Sequence, residues 1–161
     1  MIATLIILII LLPVIVYLVF QYLVEKKQGD FAIAQVEKVY CDAVRSNHLE
    51  IDEVNTYSNR LIAIDRVAGC LLMIVTDDKH TWQRCVNLDD IRSCRVVHVN
   101  NRDNGYTQKV ALELQISSGE KIFYPFFDER TDDHRDLGRR TKNARYWKQK
   151  AISKAKWQME R

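Results

Sequence analysis

The chain has 161 residues, with 24 Lys+Arg against 21 Asp+Glu and a formal net charge of +3. That length holds one ordinary domain and excludes a large multidomain enzyme. Five Gly and two Pro exclude collagen-like and low-complexity chains, and four Cys are too few for a disulfide-stapled mini-protein. Every charged side chain lies after residue 24, so the remaining 137 residues carry all 45 of them.

Residues 1–24 read MIATLIILIILLPVIVYLVFQYLV, with Thr4 and Gln21 as the strongly polar side chains. A bilayer core needs about 20 apolar residues in a helix, at about 1.5 Å each, and a lone segment can satisfy its backbone there only as a helix. The run therefore predicts an N-terminal transmembrane anchor, kinked at Pro13, with Tyr17 and Tyr22 placed for the interfaces. A cleaved signal peptide would need a basic leader, a shorter apolar core and a small-x-small site. None precedes Glu25. Lys26 and Lys27 follow the run, and the positive-inside bias puts the rest of the chain in the cytoplasm, at the inner (plasma) membrane.

Residues 25–59 read as a juxtamembrane helix and linker. Gln28-Gly29-Asp30 breaks the apolar run, and Asp30 can cap a restarted helix over 31–45, where Ile33, Val36, Tyr40 and Val44 recur at helical spacing. Ser46 to Asn59 is polar and reads as loop. From Arg60 the pattern turns to strands: 61–65, 70–76 (CLLMIVT), 81–88, 93–99, 109–117 and 120–127 (EKIFYPFF). Trp82, Arg84, Val86 and Leu88 share one face of the third, and Val97 and Val99 point inward from the fourth. Residues 88–91 form a corner, Asn104-Gly105 and Ser118-Gly119 mark hairpin turns, and Pro125 argues for an edge strand or a bulge. A last helix over 131–159, capped by Thr131 or Asp132, carries Leu137, Ala144, Trp147, Ala151, Ile152, Ala155 and Met159 on one face. Such a stripe needs something to cover, and Trp147 is placed to plug an open end of the strand meander.

Serial antiparallel strands closed by an amphipathic helix with a central Trp resemble the pleckstrin-homology-like (PH-like) superfold. More narrowly, the chain is similar to membrane-anchored bacterial PH-like proteins. The resemblance rests on RLIAID (60–65), CLLMIV (70–75), VNLDDIRSCRVV (86–97), VALELQI (110–116), KIFYPFF (121–127) and ARYWKQKAI (144–152), and on Leu88, Asp90 and Ile91 before a strand. It covers residues 60–157 and implies an α+β chain: one transmembrane helix, then a small antiparallel PH-like barrel or sandwich over 60–161, capped by the C-terminal helix. The family's first strand has no clear match before residue 60, so the barrel either lacks a strand or draws one from 46–59. The superfold hosts lipid, peptide and scaffold roles, so the resemblance implies no activity.

No GxSxG, P-loop, HExxH or CxxC motif is present, and no nucleophile–base pair stands out. The expectation is a non-enzymatic protein without cofactor or metal. His80, Cys85, Cys94 and His98 do not have the spacing of a zinc knuckle or ribbon. Cys85 and Cys94 would face each other if 81–88 and 93–99 formed a hairpin, and their redox state would then report the compartment. Asp77-Asp78, Asp89-Asp90 and Asp132-Asp133 fall at turns and caps, where Asp serves the backbone.

Charge has a direction. Residues 137–161 hold nine Lys+Arg against Glu160, a net of +8, while residues 25–136 carry a net of −5. Arg139, Arg140, Lys142, Arg145, Tyr146, Lys150, Lys154 and Trp157 fall largely opposite the apolar stripe and form a candidate lipid- or partner-binding face. Phe123, Phe126 and Phe127 form a candidate partner-binding sheet edge. The expected function is an adaptor holding a protein partner at the cytoplasmic face of the membrane; the alternative is an anionic-lipid reader using the basic helix. A small enzyme or metal protein stands third. Nucleic acid is not an expected partner, because no groove-reading motif accompanies the charge.

Overall fold

The computed structural model describes the backbone of residues 2–77, 80–101 and 105–157, and the side chains of the same residues apart from 2–13, 22–30 and 154–157. Helix α1 (Ile2–Ser46) is followed by seven strands: β1 (Glu53–Tyr57), β2 (Arg60–Asp65), β3 (Cys70–Thr76), β4 (Thr81–Asn87), β5 (Ile91–Asn100), β6 (Thr107–Ile116) and β7 (Lys121–Asp128). Helix α2 (Leu137–Trp157) ends the order. The chain is α+β, with one antiparallel sheet ordered β1-β2-β3-β4 and a second ordered β5-β6-β7.

Two expectations near the N-terminus are corrected. Helix α1 runs unbroken through Gln28-Gly29-Asp30, so Asp30 does not restart a helix. One glycine inside a helix costs about 1 kcal/mol relative to Ala, too little to stop a long one. The polar stretch 46–59 is not all loop. It contains β1, whose burial alternates until Tyr57 is buried. Its residues are mostly polar because it is an outer strand of its sheet, and hydropathy does not reveal such a strand. Seven strands therefore replace the expected six.

The chain divides into two compact units. The first comprises Met1–His48, Asn55–Leu61 and Ile74–Gln83. In it Val36 and Ala43 are buried, seven residues apart, with Val39 and Tyr40 half-buried between them. This is the stripe expected of an amphipathic segment, although Ile33 is exposed. Asn47 ends the helix: its backbone N–H and its side-chain Nδ2 both donate to the Ala43 carbonyl, at 3.1 and 2.7 Å. The Thr76 N–H donates to the Asn59 carbonyl at 2.8 Å, and Asn59 Nδ2 donates to the Thr76 carbonyl at 2.5 Å.

The second unit comprises Leu49–Val54, Ile62–Met73 and Arg84–Arg161. Its centre is the β5-β6-β7 meander, on which α2 packs. Cross-strand rows Cys94–Leu114–Ile122 and Val96–Leu112–Tyr124 line the inner face, and the next row starts Arg95–Glu113–Phe123 on the outer face. Between Val110 and Ala111 the register shifts, pairing them with Phe127 and Pro125. Pro125 thus sits at a bulge in the terminal strand of its sheet, as its missing N–H requires. Trp147, Ala144 and Ala151 of α2 are fully buried or nearly so. Asp133, not Thr131 or Asp132, caps the C-terminal helical segment by accepting from the Arg135 N–H at 2.9 Å. Asp132 instead accepts from the Asp128 N–H at 2.7 Å. The 3-10 turn at Leu88–Asp90 forms the expected corner, with Asn87 Oδ1 accepting from the Asp89 N–H.

Other inward assignments change. Val99 is exposed, and Cys94 takes the buried place on β5. On β4 Trp82 and Arg84 are exposed while Val86 is buried. Cys85 does not face Cys94, because β4 and β5 belong to different sheets. Cys85 instead pairs with Cys70 on β3, with Cα atoms 6.2 Å apart, a separation at which a disulfide can form.

Candidate functional site

In the second unit the end of β2 and the turn after it, the corner at Leu88 and the α2 face from Tyr146 to Ser153 surround a groove. Its volume is about 490 Å³. Leu88 and Ile64, each about 1% exposed, form an apolar floor. The polar walls are Arg66, Tyr146, Gln149, Lys150 and Ser153. The four helix residues recur at three- and four-residue spacing, so one face of α2 supplies one wall. Arg66 is placed by the turn after β2. Its N–H donates to Asp52 Oδ2 at 2.6 Å, and the adjacent buried Asp65 accepts from the N–H groups of Glu50 and Ala68 at 2.6 and 2.7 Å.

Glu53, the first residue of β1, closes the rim. The Tyr146 hydroxyl donates to its Oε1. Lys150 Nζ lies 3.1 Å and Arg66 Nη2 lies 3.8 Å from its Oε2. Lys150 also sits 5.1 Å from the centre of the Tyr146 ring, within range of a cation–π contact. Burial pushes the Glu53 carboxyl up, but hydrogen bonds from Tyr146 and Lys150 and the charges of Lys150 and Arg66 outweigh it and hold the group below the ordinary value of 4.5. The Tyr146 hydroxyl and the Glu53 carboxylate raise the Lys150 ammonium above its ordinary value. The result is a carboxylate cradle with donors on three sides, beside an apolar floor.

The expected basic face is divided. Arg139, Lys142 and Arg145 are exposed, and Arg139 pairs with Asp136 at 2.8 Å. Arg140 is only 6% exposed, with its Nη2 3.8 Å from Asp136. It shares the buried spacing of Ala144, Trp147 and Ala151, so it is not a surface contact. Tyr146 and Lys150 are held by Glu53. Lys154 and Trp157 lie outside the described side chains. The expected sheet edge is also corrected: Phe126 and Phe127 are fully buried, and only Phe123 is exposed. The bulge at Pro125 interrupts the alternation of β7, and Phe126 and Phe127 both lie inside.

The sequence did not mark Arg66, Glu53, Gln149 or Ser153. Arg66 and Glu53 stand in a turn and in an unrecognised strand, and no local pattern links them to α2. Cys94 is buried, and burial pushes its thiol up to about 12, with Lys148 opposing. No group of three or more His, Cys, Asp or Glu able to hold a metal occurs among the described residues. Among these residues, no helix is long and apolar enough to cross a membrane. The anchor expected over 1–24 falls mostly outside the described side chains, which within it cover residues 14–21. No family model, curated protein or solved structure matches the chain.

Proposed function

We propose that the chain is a membrane-anchored, PH-like, non-catalytic adaptor, and that the groove beside α2 receives a protein partner. The groove carries the reading: an apolar floor with a few convergent polar groups is the usual form of a binding site. The order of four strands, three strands and a helix supports the PH-like reading. The anchor is supported by Val14, Ile15, Val16, Tyr17, Leu18, Val19 and Phe20, seven successive large apolar side chains that are all exposed. A helix apolar on every side needs hydrocarbon or protein around it. Gln21 is suited to that setting, since its Nε2 donates to the Tyr17 hydroxyl at 2.7 Å and leaves less polar surface unsatisfied.

Two features bear on the side of the membrane. Lys26 and Lys27 favour the cytoplasm, whereas the closeness of Cys70 and Cys85 would let a disulfide form in an oxidising compartment. We place the domain in the cytoplasm, because charge bias acts during insertion whereas a neighbouring cysteine pair can remain as two thiols under reducing conditions. The lipid-reading alternative keeps Arg139, Lys142 and Arg145 as its contacts.

The test is photo-crosslinking of the full chain in its native membrane, with the reactive group at Gln149 or at Lys142. The adaptor reading expects carbonate-resistant membrane association and a protein adduct from Gln149. Adducts to lipid alone, from Lys142, would favour the alternative. Release of the chain by carbonate would overturn the anchor.

A further inference from the structure

We infer that the groove takes an acidic, apolar segment of its protein partner, and that Glu53 occupies in cis the place of the partner's carboxylate. This rests on the adaptor reading above and assigns the chemistry of its site. The Tyr146 hydroxyl, Lys150 Nζ and Arg66 Nη2 converge on one carboxylate. A carboxylate accepts through both oxygens and suits such a cradle better than a neutral amide does. Asp52 takes the Arg66 backbone N–H, so the Arg66 and Lys150 side chains are engaged at the cradle by Glu53 and become available to an incoming carboxylate when Glu53 leaves. Lys142 continues the same helix face one turn back from Tyr146 and is exposed, which extends the attraction for an acidic chain.

The floor supplies the second half of the recognition. Leu88 and Ile64 lie beneath the polar rim, so a carboxylate at the cradle sets a neighbouring apolar side chain over them. A volume of about 490 Å³ lies in the range of a ligand pocket. Glu53 starts an outer strand, so a side-chain rotation releases the cradle without disturbing a central strand. Exchange replaces one carboxylate by another and leaves the ion-pair inventory unchanged. Net affinity then comes from the floor, and Glu53 acts as a competitor.

This predicts a sign that structural damage would not produce. The probe is a fluorescein-labelled peptide alternating glutamate with leucine and phenylalanine, with a matched glutamine peptide, titrated onto the full chain in neutral detergent by anisotropy. The glutamate peptide should bind more tightly than the glutamine peptide, and high salt should erase the difference. Glu53→Gln should tighten glutamate-peptide binding about tenfold, and in that variant, where no carboxylate competes, Lys150→Gln should weaken it about tenfold. Tyr146→Phe should weaken it by a smaller factor, and circular dichroism checks that each variant is folded. Equal binding of the two peptides, no binding of either, or a Glu53→Gln variant that does not bind more tightly overturns the inference. Displacement of the peptide by phosphatidylglycerol with the same Glu53 dependence also overturns it, in favour of a lipid headgroup. A protein adduct from Gln149 alongside any of these failures leaves the adaptor reading standing; loss of that adduct removes the adaptor reading itself.

Discussion

Burial alone would raise the Glu53 carboxyl, yet Tyr146, Lys150 and Arg66 hold it below 4.5. Its pH linkage follows. A carboxyl lowered in the folded state contributes stability fully above its unfolded value, and that contribution is lost as pH falls through the folded value. Urea midpoints taken from about pH 7 to about pH 3 should therefore show the native chain ahead of Glu53→Gln above 4.5 and converging with it in acid. A constant gap would mean that the ion network adds no pH dependence. Trp147 is a second residue-scale case. It is fully buried, and its indole Nε1 has no hydrogen-bond partner among the described residues, so its contribution is packing. Trp147→Ala should cost about 3–5 kcal/mol in denaturant unfolding. Trp147→Phe should cost clearly less, since no hydrogen bond is lost with the indole. Trp147 was legible in the sequence because a lone aromatic in an apolar helical stripe has few other uses. Glu53 was not, because its partners stand 13 to 97 positions away in the chain.

At the scale of elements, two glycines predict opposite signs for one substitution. Gly119 turns the β6–β7 hairpin at φ +89°, and a Cβ there would meet open space. The penalty for Gly119→Ala is therefore conformational, about 1–2 kcal/mol. Gly138 lies in the first turn of α2, also with open space around a Cβ. Gly138→Ala should stabilise by about 0.5–1 kcal/mol, since Ala loses less backbone freedom. Paired thermal melts check both, and equal signs would contradict the assigned backbone conformations. The strands with strict alternation or continuous apolar runs, β6 and β3, were readable from hydropathy. Strand β1 was not, because an outer strand need not be apolar. Glu113 likewise reads as an outward residue on alternation, yet it is only 6% exposed, with Arg95 2.8 and 3.0 Å from its two oxygens. Neighbouring side chains bury it from the outer face.

For the molecule as a whole, the cysteines report the compartment. Cys70 and Cys85 are within bridging distance, Cys41 is exposed and Cys94 is buried. If the domain faces the cytoplasm, chain taken from intact cells, acid-quenched and then denatured without reductant should label at all four cysteines. Labelling at Cys41 and Cys94 alone would put the domain on the oxidising side. Without denaturation Cys41 should react well ahead of Cys94, whose thiol burial pushes up to about 12, because the thiolate is the reactive form.

Composition and periodicity by themselves determined the uncharged leader, the mixed helix-and-strand make-up of the chain, the corner at Leu88–Asp90, the Ser118-Gly119 turn and the α2 stripe through Ala144, Trp147 and Ala151. These are local properties, written in hydropathy at periods of two and about 3.6 and in turn residues with fixed backbone needs. Tertiary structure decided which basic residues of α2 stay on the surface, which cysteine meets Cys85, and that Phe126 and Phe127 both lie inside. It also assembled the groove, because Glu53, Arg66, Leu88 and Tyr146 come together only after the strands have paired and α2 has packed against them. A charge reads as surface in a sequence. Only packing shows which charges meet a partner and how deeply they are covered.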